Sequence, residues 1–382
     1  MWRGSEIWLQ PYLRHPKRTQ FATPTDVMIA VCDHFEPLHH ADKATAIKRI
    51  HEWQTTFPEI CKQYKDHDDH PPKHTFFYPI EQYDSDLVEE IAVICRRTGS
   101  EVDIHLHHDD DTEETLRHSL EQGIKDFSGH SLLSSTQDGD LGYGFIHGNW
   151  ALDNSDPSGR HCGVQRELQV LKETGCYADF TMPSAPHPTQ THTVNKLYYG
   201  VETESAKSHN YGYRVSAPKS EIKSNDVDST AKLRSRLDHL LLVQGPLGLN
   251  WQRRKWGILP RLENADLTGS NPPSPDRLSI WLRNAIHVQH RPDWIFIKLH
   301  CHGAISPNRD MLLGEPMRKF HQHLASRMGQ DTPFRLHYVS AREMVNIIHA
   351  AEDGHSGNPN EYRNYRLDSC ISFEANSLPA SP

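Results

Sequence analysis

Short continuous apolar runs alternate along this chain with stretches whose apolar residues recur at helical spacing. Asp26-Val-Met-Ile-Ala-Val-Cys32 is one such run, the pattern of a strand buried on both faces. It ends in the polar stretch Asp33-His34-Phe35-Glu36-Pro37. Residues 41–57 then place Ile47, Ile50, Trp53 and Phe57 on one helical face, with Pro58 as the expected stop. His74-Thr-Phe-Phe-Tyr78 predicts a second strand. Asp84-Ser85-Asp86 offers caps for a helix bearing Leu87, Ile91 and Ile94, which Gly99 ends. Val102 to Leu106 predicts a third strand. Strand, helix, strand, helix, strand implies parallel strands with crossover helices, an α/β fold.

The pattern continues with a helix over 113–127, a Ser/Asp/Gly-rich loop from Ser131 to Gly144, and a strand from Tyr143 to Ile146. That strand leads into His147-Gly-Asn149-Trp150. Val164, Leu168 and Leu171 mark a helix, and Tyr177-Ala-Asp179-Phe-Thr181 a strand. Order weakens over 190–272, where the apolar run Leu240 to Val243 sits among Lys/Ser-rich segments such as Ala206 to Lys232. This region is read as an elaborated insertion in a single domain spanning 1–382. Regularity returns at Ser274-Pro275, an N-cap followed by proline at the first helical position. Trp294 to Leu299 is a strand that ends in His300-Cys301-His302. Helices follow over 311–328 and 340–351, the second opened by a Ser340-x-x-Glu343 capping box. Residues 1–24 form an amphipathic lead-in whose Trp2, Ile7, Trp8 and Leu9 are expected to pack on the body. The tail 353–382 is rich in Gly, Asn, Pro and Ser and is expected to be loose.

Composition narrows the function classes. Net charge is -9 and no basic block is longer than Arg253-Arg254-Lys255, which argues against a nucleic-acid footprint. No segment has the apolar length of a membrane span. The seven cysteines form no C-x-x-C pair and read as reduced thiols. Together with an N-terminus lacking the apolar run of a secretory signal, they give a cytoplasmic expectation. The unusual count is 28 histidines.

Many of those histidines and their acidic neighbours stand where strands end: Asp33-His34, His105 in Glu101-Val-Asp-Ile-His105-Leu-His107-His108-Asp109, His147 with Asn149, Asp179, and His300. In α/β architectures the C-terminal strand ends converge on the site. Imidazole and carboxylate there suit a divalent metal.

The series resembles the polysaccharide deacetylase family, carbohydrate esterase family four. Val31-Cys-Asp33-His34-Phe35 lies where that family has T-F-D-D-G, His74-Thr-Phe-Phe77 where it has A-T-F-F, and Glu101 to Asp109 where it has E-[IV]-G-x-H-x-x-x-H. His147-Gly-Asn-Trp150, Asp179-Phe180 and Lys298-Leu-His300 take its later motif positions, and the resemblance covers roughly residues 25–185 and 290–350. It implies a distorted (β/α) barrel of about seven parallel strands.

Residue by residue, the resemblance makes Asp33 the catalytic base and His300 the acid. It makes His34, His105 and Asp109 the metal ligands, with His107 and His108 as rivals for the last place. His34 stands where the family has a metal-binding Asp, and Asp109 where it has His, so the two exchanges compensate. The family's Arg is absent, and His147 is the candidate to orient Asp33. His147, Asn149, Trp150 and Asp179 would line the substrate or support the site from behind, His147 and Asp179 by hydrogen bonds that hold loops, with Trp150 and also Trp251 or Trp256 as stacking faces for a sugar ring.

The implied activity is zinc-dependent removal of an acetyl group from an N-acetylated sugar or glycan precursor, with metal-activated water as nucleophile. The substrate would then be a small molecule or a glycan. Hydrolysis of a non-sugar amide or imide is an alternative, as is a catalytically silent sugar-binding barrel.

Overall fold

The computed structural model describes residues 4–218, 236, 238–329 and 332–372. The expectations for Trp2, for the Lys/Ser-rich stretch from 219 to 232 and for the tail beyond 372 fall outside them.

Seven strands run parallel at the centre: β1 (Thr25–His34), β2 (Thr75–Pro79), β3 (Glu101–Leu106), β4 (Leu141–His147), β5 (Cys176–Asp179), β6 (Leu240–Val243) and β7 (Trp294–Cys301). Their order in the sheet is β7-β1-β2-β3-β4-β5-β6, each pair parallel. Phe334–Tyr338 adds a further parallel strand along the start of β1, and Leu197–Gly200 runs antiparallel to β6. The architecture is thus α/β around a large, mostly parallel sheet. Among the described residues, no strand pairing joins β6 back to β7 to close it into a barrel.

Alternation along the strands sorts side chains into two cores. Val27, Ile29 and Val31 of β1, with Val102, Ile104 and Leu106 of β3, pack against helical side chains that include Ile50, Trp53, Phe57, Leu87 and Ile91. Met28, Ala30 and Cys32 face the other way, towards Phe77, Ile146, Ala178, Phe180 and Phe296, and towards Met344, Val345 and Ile348 of the helix Ala341–Glu352. Each such aliphatic side chain, once buried, contributes roughly 1.5–3 kcal/mol.

Three expectations need correction. The helix after β1 runs Lys43–Gln63, straight through Pro58. Proline removes the N–H that would bond the carbonyl of Gln54. Here that carbonyl accepts instead from the Arg97 guanidinium at 3.0 Å, so the helix continues. Within the 190–272 region read as an insertion, Leu240–Val243 belongs to the central sheet as β6, paired to β5 through Asp179 and Leu242. The start of the tail is not loose. Arg363 is buried, donating to the Tyr338 carbonyl and Glu343, and Leu367–Ser369 pairs with Ser134–Thr136 inside the expected 131–144 loop.

Other expectations hold. The capping box is formed, with Glu343 N–H donating to Ser340 Oγ and Ser340 N–H to the Glu343 carboxylate. Trp8 is buried in the lead-in helix Ser5–Arg14. All seven cysteines are free thiols, six of them buried.

Candidate active site

His34, His105 and His300 all project from the same face of the sheet, the face of Cys32 and Ala30. The His34 ring centroid lies 4.9 Å from that of His105, 6.2 Å from His300 and 4.6 Å from His302. His107, just past the end of β3, lies 4.4 Å from His105. Glu36 enters this group from the turn after β1. Its Oε1 sits 3.3 Å from His105 Nε2 and 3.0 Å from His107 Nε2.

Both imidazoles are oriented from behind. His105 Nδ1 donates to the Ile146 carbonyl at 2.8 Å, and His107 Nδ1 to the Glu81 carboxylate at 2.8 Å. Each therefore turns Nε2 towards Glu36, the arrangement in which a ring acts as a metal ligand. The three ligand atoms lie within 4.8 Å of one another. Such a two-His, one-carboxylate set could hold a divalent cation and leave positions open for water and substrate. His34 Nε2 is buried beside the set without any hydrogen-bond partner.

The electrostatics follow from burial and these contacts. Burial, reinforced by the neighbouring His302, His105 and His300, holds His34 well below the ordinary histidine range. Burial and Lys298 do the same to His300. For Glu36 burial works upward, but hydrogen bonds to His105 and His107 prevail and hold its carboxyl far below the usual range. Burial also opposes the charged form of His107, yet its bonds to Glu36 and Glu81 raise it to about 9.

His300 opens into a cleft of about 670 Å³ bordered by Trp150, Pro183, His187 and Asn264. Deeper in the sheet, burial lifts Asp179 to about 7 and lowers Lys298 to about 8. Asp179 accepts from the Thr181 hydroxyl at 2.6 Å, and that oxygen accepts from the His147 N–H at 2.9 Å. Asp179 therefore braces strand ends. Lys298 Nζ donates to the Met182 carbonyl at 2.9 Å.

Several predicted residues stand elsewhere. Asp33 is one position out of phase with His34 and points through the sheet to the helix side. There it accepts from the Gly303 N–H at 2.6 Å and pairs with His74 at 2.7 Å. It cannot serve as base in the cleft; instead it anchors the turn that carries His302. A Cβ at Gly303 would lie 2.1 Å from its Oδ2, so that turn requires glycine.

Asp109 is at the surface, bound to Arg160 and to the His161 N–H, which lower its carboxyl to about 2. It is no ligand of the His34–His105 group. His147 also faces away from that group, so it does not orient Asp33. It meets His108, Cys162 and Glu167 instead. Asn149 is exposed, next to His161. Trp150 borders the cleft, with its ring 5.9 Å from that of His187. Trp251 and Trp256 are exposed on the hairpin formed by Gly248–Lys255 and Leu259–Glu263.

Glu36 and His302 have no role in the sequence analysis. Both lie two positions beyond a strand-end histidine, and that even spacing was the available signal. Glu81, Cys162 and Glu167 carried none, because their positions are set by turns and loops. The chain matches no model of a known protein family and no curated protein.

Proposed function

We propose that this chain is a metal-dependent hydrolase that removes the acetyl group from an N-acetylated sugar or glycan precursor, on a scaffold related to the (β/α) barrel. The observation that carries this reading is the Glu36–His105–His107 set at the strand ends, linked through the His34 ring to His300, which borders a cleft together with Trp150. Its donor atoms suit zinc, and a bound zinc would acidify water and polarise an amide carbonyl.

The chain's own residues supply the rest. Ile146 and Glu81 fix the rings of His105 and His107 so that binding costs little reorganisation. His300, whose Nδ1 is buried and lacks a partner, accepts the proton of the attacking water and passes it to the departing nitrogen. In this scheme one imidazole acts as base and then as acid, which replaces the division of labour between Asp33 and His300. Trp150 offers a flat face to a sugar ring. Because Asp33 is turned away, a silent sugar-binding protein is the competing reading.

Incubation of the zinc-loaded protein with N-acetylated sugars and with non-sugar amides, read as released acetate or amine, separates these cases. The expected result is acetate from an N-acetylated sugar, abolished by chelation and restored by zinc. Release from non-sugar amides alone would move the assignment to them. Sugar binding without any release would establish the silent reading.

A further inference from the structure

On the opposite face of the sheet from the candidate active site, four side chains converge in a second group. His108 comes from the loop after β3, His147 from the end of β4, Cys162 from the loop 148–166, and Glu167 from the first turn of the helix Glu167–Glu173. Their ligand atoms all lie within 4.8 Å of one another, and His147, Cys162 and Glu167 are fully buried. Glu167 Oε1 is 3.2 Å from His108 Nε2 and 3.4 Å from His147 Nε2, and Oε2 is 3.4 Å from Cys162 Sγ. Such separations match the edges of a tetrahedron with metal–ligand bonds of about 2.0–2.3 Å.

The outward side of every one of these groups is already engaged. His108 Nδ1 donates to the Asp111 carboxylate at 3.0 Å, and His147 Nδ1 to the Gly148 carbonyl at 2.5 Å. Both acceptors lack protons, so each ring proton is fixed on Nδ1 and each Nε2 points inward. Glu167 Oε2 accepts from the Asp153 N–H at 2.5 Å. Cys162 Sγ accepts from the N–H groups of Asn154 at 3.3 Å and Val164 at 3.4 Å, while burial and Glu167 push its thiol up to about 11, so a bound cation would be needed to hold it as thiolate. What remains facing the centre is two imidazole nitrogens, a carboxylate oxygen and a sulfur. His147 Nε2 is buried there with no hydrogen-bond partner. Without an ion, the Cys162 thiol and His108 Nε2 turn their protons to the Glu167 carboxylate while His147 Nε2 is left without a donor; a bound cation would take the place of those protons and serve all four groups at once.

We infer that His108, His147, Cys162 and Glu167 form a second, structural metal site of the zinc class, closed by four protein ligands. With no open position it would not do chemistry. Its role is to staple the loop 148–166, which carries Trp150, to the ends of β3 and β4. This inference is independent of the reading of the Glu36–His105–His107 set, because only the second site contains sulfur.

The test exploits that sulfur. The full-length protein is loaded with cobalt(II), and its near-ultraviolet thiolate-to-cobalt charge-transfer absorption is recorded for wild type, Cys162→Ser, Cys301→Ser and His105→Ala. Cys301 is the control because it lies with Asp33 and His74 in a third, smaller group. The expected result is a charge-transfer band in wild type, kept in Cys301→Ser and His105→Ala and lost in Cys162→Ser. If Cys162→Ser does not fold, the Cys301→Ser spectrum decides: a retained band supports the site and a lost band overturns it. No band in cobalt-loaded wild type also overturns it, and leaves the buried group as an imidazolium–carboxylate pair. That failure would not touch acetate release at the first site.

Discussion

Glu36 accepts two imidazoles at hydrogen-bond distance while Asp109 spends its charge on Arg160 at the surface, and this contrast separates two otherwise similar acidic residues. Glu36→Gln is expected to remove the metal bound at the first site, whereas Asp109→Asn leaves metal content at the wild-type value; elemental analysis of the two variants checks both. His300 touches neither Glu36 nor the rings that Glu36 bridges, so under the proposed function its removal acts on proton transfer alone. His300→Asn is expected to lower kcat about 10²–10⁴-fold with metal content unchanged. A fall in metal content matching the fall in rate would make His300 a ligand instead. Asp33 belongs to neither group of effects, for its carboxylate holds Gly303 and His74 on the far face.

At the scale of elements, much was readable because strand and helix periods differ sharply. The seven parallel strands each carried a run of apolar residues, and even Leu240–Val243 stood out within a region otherwise read as an insertion. The same period of two also holds what was misread. Asp33 and His34 are adjacent in sequence and therefore lie on opposite faces, while Glu36 and His302 share a side with the histidines two positions before them. A family motif aligned by letter put Asp33 in the cleft; strand parity puts it on the helix side.

Local chemistry makes Pro58 a stop, and the tertiary contact that overrides it, Arg97 on the Gln54 carbonyl, lies 43 residues away in the chain. Arg97→Ala is expected to cost roughly 1.5–3 kcal/mol, the worth of a hydrogen bond from a charged donor. Urea unfolding measures this, and an unchanged midpoint would show that the helix passes Pro58 without help. The loops that deliver Cys162 and Glu167 have no period at all, so nothing local announced that they meet His108 and His147.

At the scale of the whole molecule, the described tail is clamped by a buried ionic group. Glu343 pairs with Lys73 and, at 2.9 Å, with Arg363, which also reaches Asp66 at 3.1 Å. Burial alone would raise the Glu343 carboxyl, but Lys73, Arg363 and Arg342 prevail and hold it down at about 2. A carboxylate depressed in the folded state adds stability above its unfolded pKa, and that stability is lost as pH falls through the folded value. Urea midpoints should therefore decline from about pH 4.5 towards pH 2 more steeply in wild type than in Glu343→Gln. Glu343→Ala at neutral pH is expected to cost roughly 3–5 kcal/mol, because it leaves buried cations unpaired.

Under the proposed function a metal sits where β1 and β3 end. The most direct test is the zinc content of wild type and of His105→Ala, both purified and reconstituted alike. The variant is expected to lack about one equivalent that wild type holds, since removing His105 leaves Glu36 and His107 alone. Equal content in the two proteins would contradict it.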